Sequence, residues 1–233
     1  MENEKNNKEL LSEEDKSSVI SEVSAVEETE DAEEKKLDWK KEILDFVKVI
    51  VIALVITNFL NVFVFTLSQV RQSSMETTLI ADDQLVVEKL SYTFGSPQRG
   101  DVIVFISREI SVDNSIWGRF VRLYKDMFAK ITRKEGHFRL VKRVIALPGD
   151  KIDIRDGKVY VNDKEMKEEY LNQPTFEKSK VEYPFVVPQD QYFVMGDNRG
   201  MSYDSRDFGS IKREQIEGKV WMRIWPLNKL GGI

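Results

Sequence analysis

The sequence predicts a mostly-β protein of packed antiparallel sheets or a partly open barrel, with one N-terminal transmembrane helix and a helical insert. Three observations predict it. A run dominated by Val, Ile, Leu and Phe extends from Ile43 to Leu67. Short β-rich runs separated by turn residues fill most of the chain after it. One stretch among them, Ile116 to about Thr132, has helical rather than alternating spacing.

The chain opens on an acidic tail, residues 1–36. Residues 1–34 hold thirteen Asp or Glu against three Lys, a balance of −10, so the whole-chain −5 leaves +5 for residues 35–233. Too little apolar surface is present in the tail to offset ordering entropy, and it reads as disordered. Its charge excludes nucleic acid as its partner.

Residues 43–67 read as the membrane anchor. At about 1.5 Å per residue, roughly 20 apolar residues cross a hydrocarbon core. A signal peptide would have a shorter apolar region with a small-residue cleavage site, and would not follow more than forty residues of polar tail. Asn58 and Asn61 are spaced to share a helix face and read as lying near its outer end. Lys35, Lys36, Lys40, Lys41 and Lys48 precede or enter the run, whereas only Arg71 follows closely. That asymmetry places the N-terminus in the cytoplasm and residues 68–233 outside. No second apolar run of spanning length follows.

Seven runs after the anchor read as strands: Gln84–Glu88, Asp101–Ile106, Phe138–Leu147, Lys151–Arg155, Lys158–Asn162, Tyr192–Met195 and Lys219–Ile224. Asp156-Gly157, between two alternating runs, reads as a two-residue hairpin turn needing positive φ. In the insert, Trp117, Phe120, Val121, Tyr124, Met127, Phe128 and Ile131 project as one apolar stripe. Arg119, Arg122, Lys125, Lys130 and Arg133 fall opposite. Two placements remain open: the stripe packs on the β domain with its basic face in water, or it rests on a lipid surface.

Composition narrows the chemistry. There is no cysteine, which excludes disulfides, thiolate metal sites and cysteine nucleophiles. A single histidine, His137, leaves no paired-histidine zinc site. Three stretches then stand out. Arg71-Gln72-Ser73-Ser74-Met75-Glu76-Thr77-Thr78-Leu79 follows the anchor directly. Leu140 to Asp150 reads Leu-Val-Lys-Arg-Val-Ile-Ala-Leu-Pro-Gly-Asp, and alternation places Lys142 on one face with Leu140, Val144 and Ala146. A lysine in such surroundings loses its charge, finds a carboxylate or turns to solvent at a sheet edge. The third, Met195 to Arg206, contains Gly-Asp-Asn-Arg and then Ser-x-Asp-Ser-Arg.

Together, and with Arg99-Gly100-Asp101-Val102 ahead of a hydrophobic run, these stretches resemble the type I signal peptidases in their Gram-positive, single-anchor form. The resemblance runs from the anchor to about Pro226. It implies a membrane-bound serine endopeptidase that removes signal peptides from exported preproteins at the plasma membrane. By that resemblance Ser74 is the nucleophile and Lys142 the general base. Ser202 orients the lysine, and Asp204 and Arg206 form a supporting ion pair. Met75, Leu79, Leu140 and Val141 match substrate-pocket walls for preproteins with small residues at −3 and −1. No metal or organic cofactor is implied, and the expected partners are preproteins and the lipid bilayer, not nucleic acid.

Two positions depart from the family pattern. The usual proline two residues before Leu79 is Thr77, and the usual Gly or Ser two before the nucleophile is Gln72, which leaves Gln72 as the candidate second oxyanion donor. Two other readings share part of the pattern. Self-cleaving Ser–Lys repressors carry a DNA-binding domain, against which the acidic tail and anchor argue. An assembly factor derived from a signal peptidase would have lost the serine or the lysine, and both are present.

Overall fold

A computed structural model describes residues 39–106, 113, 115–132 and 138–233. The acidic tail, Arg133 and His137 therefore lie outside the described residues. The chain divides into two compact units, residues 1–53 and 54–233.

The described part of the first unit is wholly helical and belongs to α1, Trp39–Phe59. Its apolar side chains are exposed, as lipid contact allows and water does not. Lys48 pairs with Asp45 at 2.9 Å. With the π turn Leu60–Val64, the helical segment Trp39–Val64 has the length and apolarity to cross a membrane.

The second unit begins in the last turns of α1. There Asn58 and Asn61 donate their side-chain amides to the carbonyls of Leu54 and Thr57 at 2.8 and 3.0 Å, four residues back. This satisfies the amide donors inside an apolar segment. The apolar run 43–67 is not helical throughout: Phe65–Gln69 forms β1. The reason is tertiary. β1 pairs antiparallel with β2, Gln84–Glu88, so that Thr66 and Ser68 stand opposite the buried Val87 and Leu85.

All seven strand runs read from the sequence form strands, joined by short ones that carry little pattern. In chain order the remaining elements are α2 (Leu90–Phe94), β3 (Val102–Ile106), α3 (Ile116–Ile131), β4 (Arg139–Ala146), β5 (Lys151–Arg155) and β6 (Lys158–Val161). They are followed by β7 (Lys164–Glu165), β8 (Phe185–Val186), β9 (Gln191–Met195), α4 (Ser205–Phe208), β10 (Ile211–Lys212), β11 (Ile216–Trp225) and β12 (Gly231–Gly232). The larger sheet runs β1-β2-β11-β3-β4-β9-β10, with β12 on β11; the smaller runs β7-β6-β5-β8. Every pairing is antiparallel. The Asp156-Gly157 turn has φ of 52° and 77°, as a two-residue hairpin between twisted strands requires.

β3 explains how the large sheet buries both faces. All five residues are buried. Ile103 and Phe105 enter one core with Leu140, Val144 and Val194. Val102 and Val104 enter another with Met75, Leu79, Leu85 and Val87. A third core, around Ile145, Ile152, Val159 and Phe193, joins the two sheets. The register pairs Ile103 with Lys142 and Val104 with Val141, so these neighbours on β4 face opposite cores.

Candidate active site

Ser74 lies in a one-turn 3₁₀ helix, Ser73–Met75, just after β1. Met75 is almost completely buried and anchors this turn in the core, which holds the serine still. The turn is also held from across the fold. Asn198 donates its backbone N–H to the Ser74 carbonyl at 3.1 Å and its side-chain amide to the Ser73 carbonyl at 3.2 Å.

Lys142 projects from β4 with no exposed surface. Its Nζ donates to Ser74 Oγ at 2.6 Å and to the Val141 carbonyl at 3.0 Å. Burial pushes the lysine down to about 8, against the opposing pull of Asp204 and Asp197, while Lys178 adds to the lowering. An amine with that pKa is about one-tenth neutral at pH 7. Neutral, it can accept a proton along the same 2.6 Å line.

The loop after β9 closes over this pair. Asp204 caps α4 and is fully buried. Arg206 Nε and Nη2 each reach its carboxylate at 2.9 Å, and the Gly196 N–H donates to it at 3.1 Å. Burial pushes Asp204 up, but Arg206 and these donors outweigh it and hold the carboxyl below its usual range. Arg206 also donates to the Arg199 carbonyl at 2.7 Å. The expected ion pair is thus in place as a fully satisfied buried unit, which is how such pairs avoid a net penalty.

Ser202 is buried beside Asp204 and helps hold that carboxylate ionised. Its Oγ makes no hydrogen bond of ordinary geometry among the described residues, to Lys142 or to any other group. Gly196 explains how tightly the parts fit. A Cβ there would stand 2.3 Å from both Ser202 Oγ and the Ser74 carbonyl oxygen. Only glycine lets the loop approach the nucleophile's turn so closely.

Of the four expected pocket residues, Met75, Leu79 and Val141 share one core region, whereas Leu140 faces the opposite core with Phe105 and Val144. Gln72 is exposed, with extended backbone (φ −126°, ψ 153°) and no side-chain cap on the turn. Thr77 has φ of 92°, a conformation closed to proline, whose ring fixes φ near −65°. Hydrogen bonds hold this turn instead: Thr77 Oγ1 donates to the Tyr170 carbonyl at 2.8 Å, and Thr78 Oγ1 to Asp197 at 2.5 Å.

Two groups of supporting residues were not foreseen. Arg143 grips the buried Asp197 with two bonds of 2.9 and 2.6 Å and stacks on Tyr170 at 4.0 Å. It thereby ties β4 to the loop after β9 on the face opposite Lys142. Lys178 donates to the Ser202 carbonyl at 2.5 Å and to Asp207 at 2.6 Å. Arg143 and Asp197 sit inside the motifs already singled out, but their pairing spans 54 residues and leaves no local signal. Among the described residues, no cluster of three or more Asp, Glu, His or Cys could hold a metal ion.

β4 pairs with β9 only from Arg143 to Ala146. On that side, Arg139 to Lys142 have no strand partner among the described residues, which leaves an open edge beside Ser74. An extended peptide fits such an edge through main-chain hydrogen bonds.

Residues 43–225 match the model of the family described as signal peptidase, peptidase S26. The chain is 35% identical to a probable signal peptidase I-2 of Synechocystis sp. over 81% of its own length and 76% of the relative's. It is 32% identical to signal peptidase IB of Staphylococcus aureus over 82% of its length and 93% of the relative's. A crystal structure of a signal peptidase I from Enterococcus faecalis is 29% identical, covering 54% of this chain and 97% of that one, with a TM-score of 0.37.

Proposed function

The chain belongs to the signal peptidase family, peptidase S26, and from that premise we propose that Ser74 is its nucleophile and Lys142 the base that activates it. It is a serine endopeptidase that acts on preproteins bearing signal peptides. The observation that carries the residue assignment is the 2.6 Å contact between a fully buried lysine and the serine hydroxyl.

The steps follow from that geometry. Neutral Lys142 takes the proton of Ser74 as Oγ bonds to the scissile carbonyl carbon, and the carbonyl π electrons move onto oxygen. The tetrahedral intermediate collapses, the C–N bond breaks, and the Lys142 ammonium returns its proton to the leaving amine. Water then attacks the acyl-enzyme with Lys142 again as base, which releases the signal peptide's carboxylate and restores Ser74. The Ser74 backbone N–H and that of Gln72 are the assigned oxyanion donors, an arrangement consistent with the outward-lying Gln72 side chain. Asp204, Arg206 and Ser202 hold the lysine's surroundings rigid.

Substrate lies along the open edge of β4, where small residues at −3 and −1 enter shallow apolar pockets walled by Met75, Leu79 and Val141, with Leu140 buried behind the strand. α1 anchors the chain in the plasma membrane, with residues 1–36 in the cytoplasm and the β domain outside. The lysines ahead of the apolar run support that orientation. The decisive experiment incubates the detergent-solubilised full chain with a preprotein. Wild type is expected to cleave it, and Ser74→Ala and Lys142→Ala to leave it intact while still folded. Cleavage at the normal rate by Lys142→Ala would sink the assignment.

A further inference from the structure

α3 sits on the β domain with Arg122 and Asp126 turned inward. Arg122 is 9% exposed, donates to the Asp113 carbonyl at 3.0 Å and lies 4.0 Å from Glu217. One turn on, Asp126 accepts from Arg139 at 2.5 Å, and Arg139 also clasps Glu217 at 2.5 and 3.1 Å. Arg122, from the basic face expected in water, is therefore docked and Arg119 is half-buried, whereas Lys125 is exposed. The apolar stripe faces outward: Trp117 is 75% exposed, Phe128 63% and Ile131 72%, with Tyr124 and Met127 about half exposed.

An ion-paired Arg122 and Asp126 turned in, with the aromatics turned out, reverse the arrangement of a water-facing helix. Soluble surfaces rarely expose so large a contiguous apolar patch. The neighbours of α3 identify what covers it. Phe120 packs edge-on against Phe63, ring centroids 6.1 Å apart. Tyr124 donates its hydroxyl to Asn58 Oδ1 at 3.1 Å. Phe63 and Asn58 both belong to the segment Trp39–Val64 that is long and apolar enough to span a bilayer. The middle of the stripe therefore stands level with the end of the anchor, where Tyr and Trp side chains prefer to lie.

We propose that α3 is an in-plane interfacial helix whose Trp117, Tyr124, Met127, Phe128 and Ile131 insert into the same bilayer that α1 spans. This rests on the membrane-anchored reading of α1. It also assigns the helix a purpose. Asp126 holds Arg139, three residues before Lys142 on the same strand. α3 thus sets the depth of the catalytic pair relative to the lipid surface, where the cut follows a signal peptide's apolar segment.

The test uses the full chain in phosphatidylcholine–phosphatidylglycerol vesicles. The chain has four tryptophans and no cysteine. Replacing Trp39, Trp221 and Trp225 by Phe leaves Trp117 as the only tryptophan, which is excited selectively over the tyrosines at the red edge of the absorption band. Vesicle flotation first reads anchoring by α1. Lipids brominated near the headgroup are expected to quench most of the Trp117 emission, while aqueous acrylamide has little effect. A chain that floats but whose Trp117 is quenched by acrylamide and not by bromolipid overturns the proposal and leaves the anchor standing; failure to float overturns both. Disulfide formation between copies of a Phe128→Cys variant, with no bromolipid quenching of Trp117, would mean that a second chain covers the stripe. None of these readouts needs peptidase activity, so failure of the catalytic assignment would be seen separately.

Discussion

Replacing Lys142 by methionine should stabilise the protein at neutral pH while abolishing its activity. Burial lowers this lysine from 10.5 to about 8. At 1.36 kcal/mol per pH unit, holding it protonated in the folded state costs about 3 kcal/mol. The folded pKa lies below the unfolded one, so between pH 8 and 10.5 the unfolded chain binds a proton that the folded site does not. Wild-type stability therefore rises with pH across that window, and the full cost is present below pH 8. Methionine fills similar volume without charge but gives up the bond to Ser74 Oγ, worth about 1 kcal/mol. The net expectation is that Lys142→Met is about 2 kcal/mol more stable at pH 7. The gap should close as pH rises past 8, vanish at about pH 9.5, and stand at about 1 kcal/mol in favour of the wild type by 10.5. Urea unfolding of both full-length proteins in detergent, followed by tryptophan fluorescence at several pH values, reads this as a shift in midpoint at fixed slope. A gap that stays constant from pH 7 to 10.5 would refute the claim that burial of Lys142 sets its proton affinity.

Preprotein cleavage by the wild type should rise with pH through one ionisation near 8 and then level off. Lys142→Arg should be inactive throughout, because a guanidinium stays protonated. Gln72→Ala should keep near-normal turnover; a drop of about 10²–10³ would instead make its side-chain amide an oxyanion donor. Gly196→Ala places a methyl 2.3 Å from the Ser74 carbonyl oxygen and should cut turnover by about 10² or more by displacing the nucleophile, with circular dichroism checking that the fold survives. Protease added to intact protoplasts should degrade the β domain and spare an N-terminal tag; a protected β domain would reverse the orientation assigned to α1.

The sequence by itself determined whatever depends on near neighbours. Short β-rich runs of four to ten residues between turn residues marked all seven strands. In runs such as Lys151–Arg155 alternation added the face, because side chains on a strand change face at every step. Asp156-Gly157 declared its turn, since few other pairs tolerate positive φ twice. The serine and lysine were legible only through a resemblance spanning the chain. Their own contact joins residues 68 apart, and no local pattern encodes it. The tertiary structure alone decided three matters. Phe65 to Leu67 continue an apolar helical run in sequence, but pairing with β2 makes them a strand. Lys142 could have turned to solvent at a sheet edge; cores on both faces of the sheet and the loop after β9 bury it instead. In α3 the periodicity fixed the stripe but not its direction. Which face turns inward depends on what waits there, and Arg139 and Glu217, brought together from 78 residues apart, hold Arg122 and Asp126. A helix records its two faces in its own sequence, whereas the surface that takes each face is built by the rest of the chain.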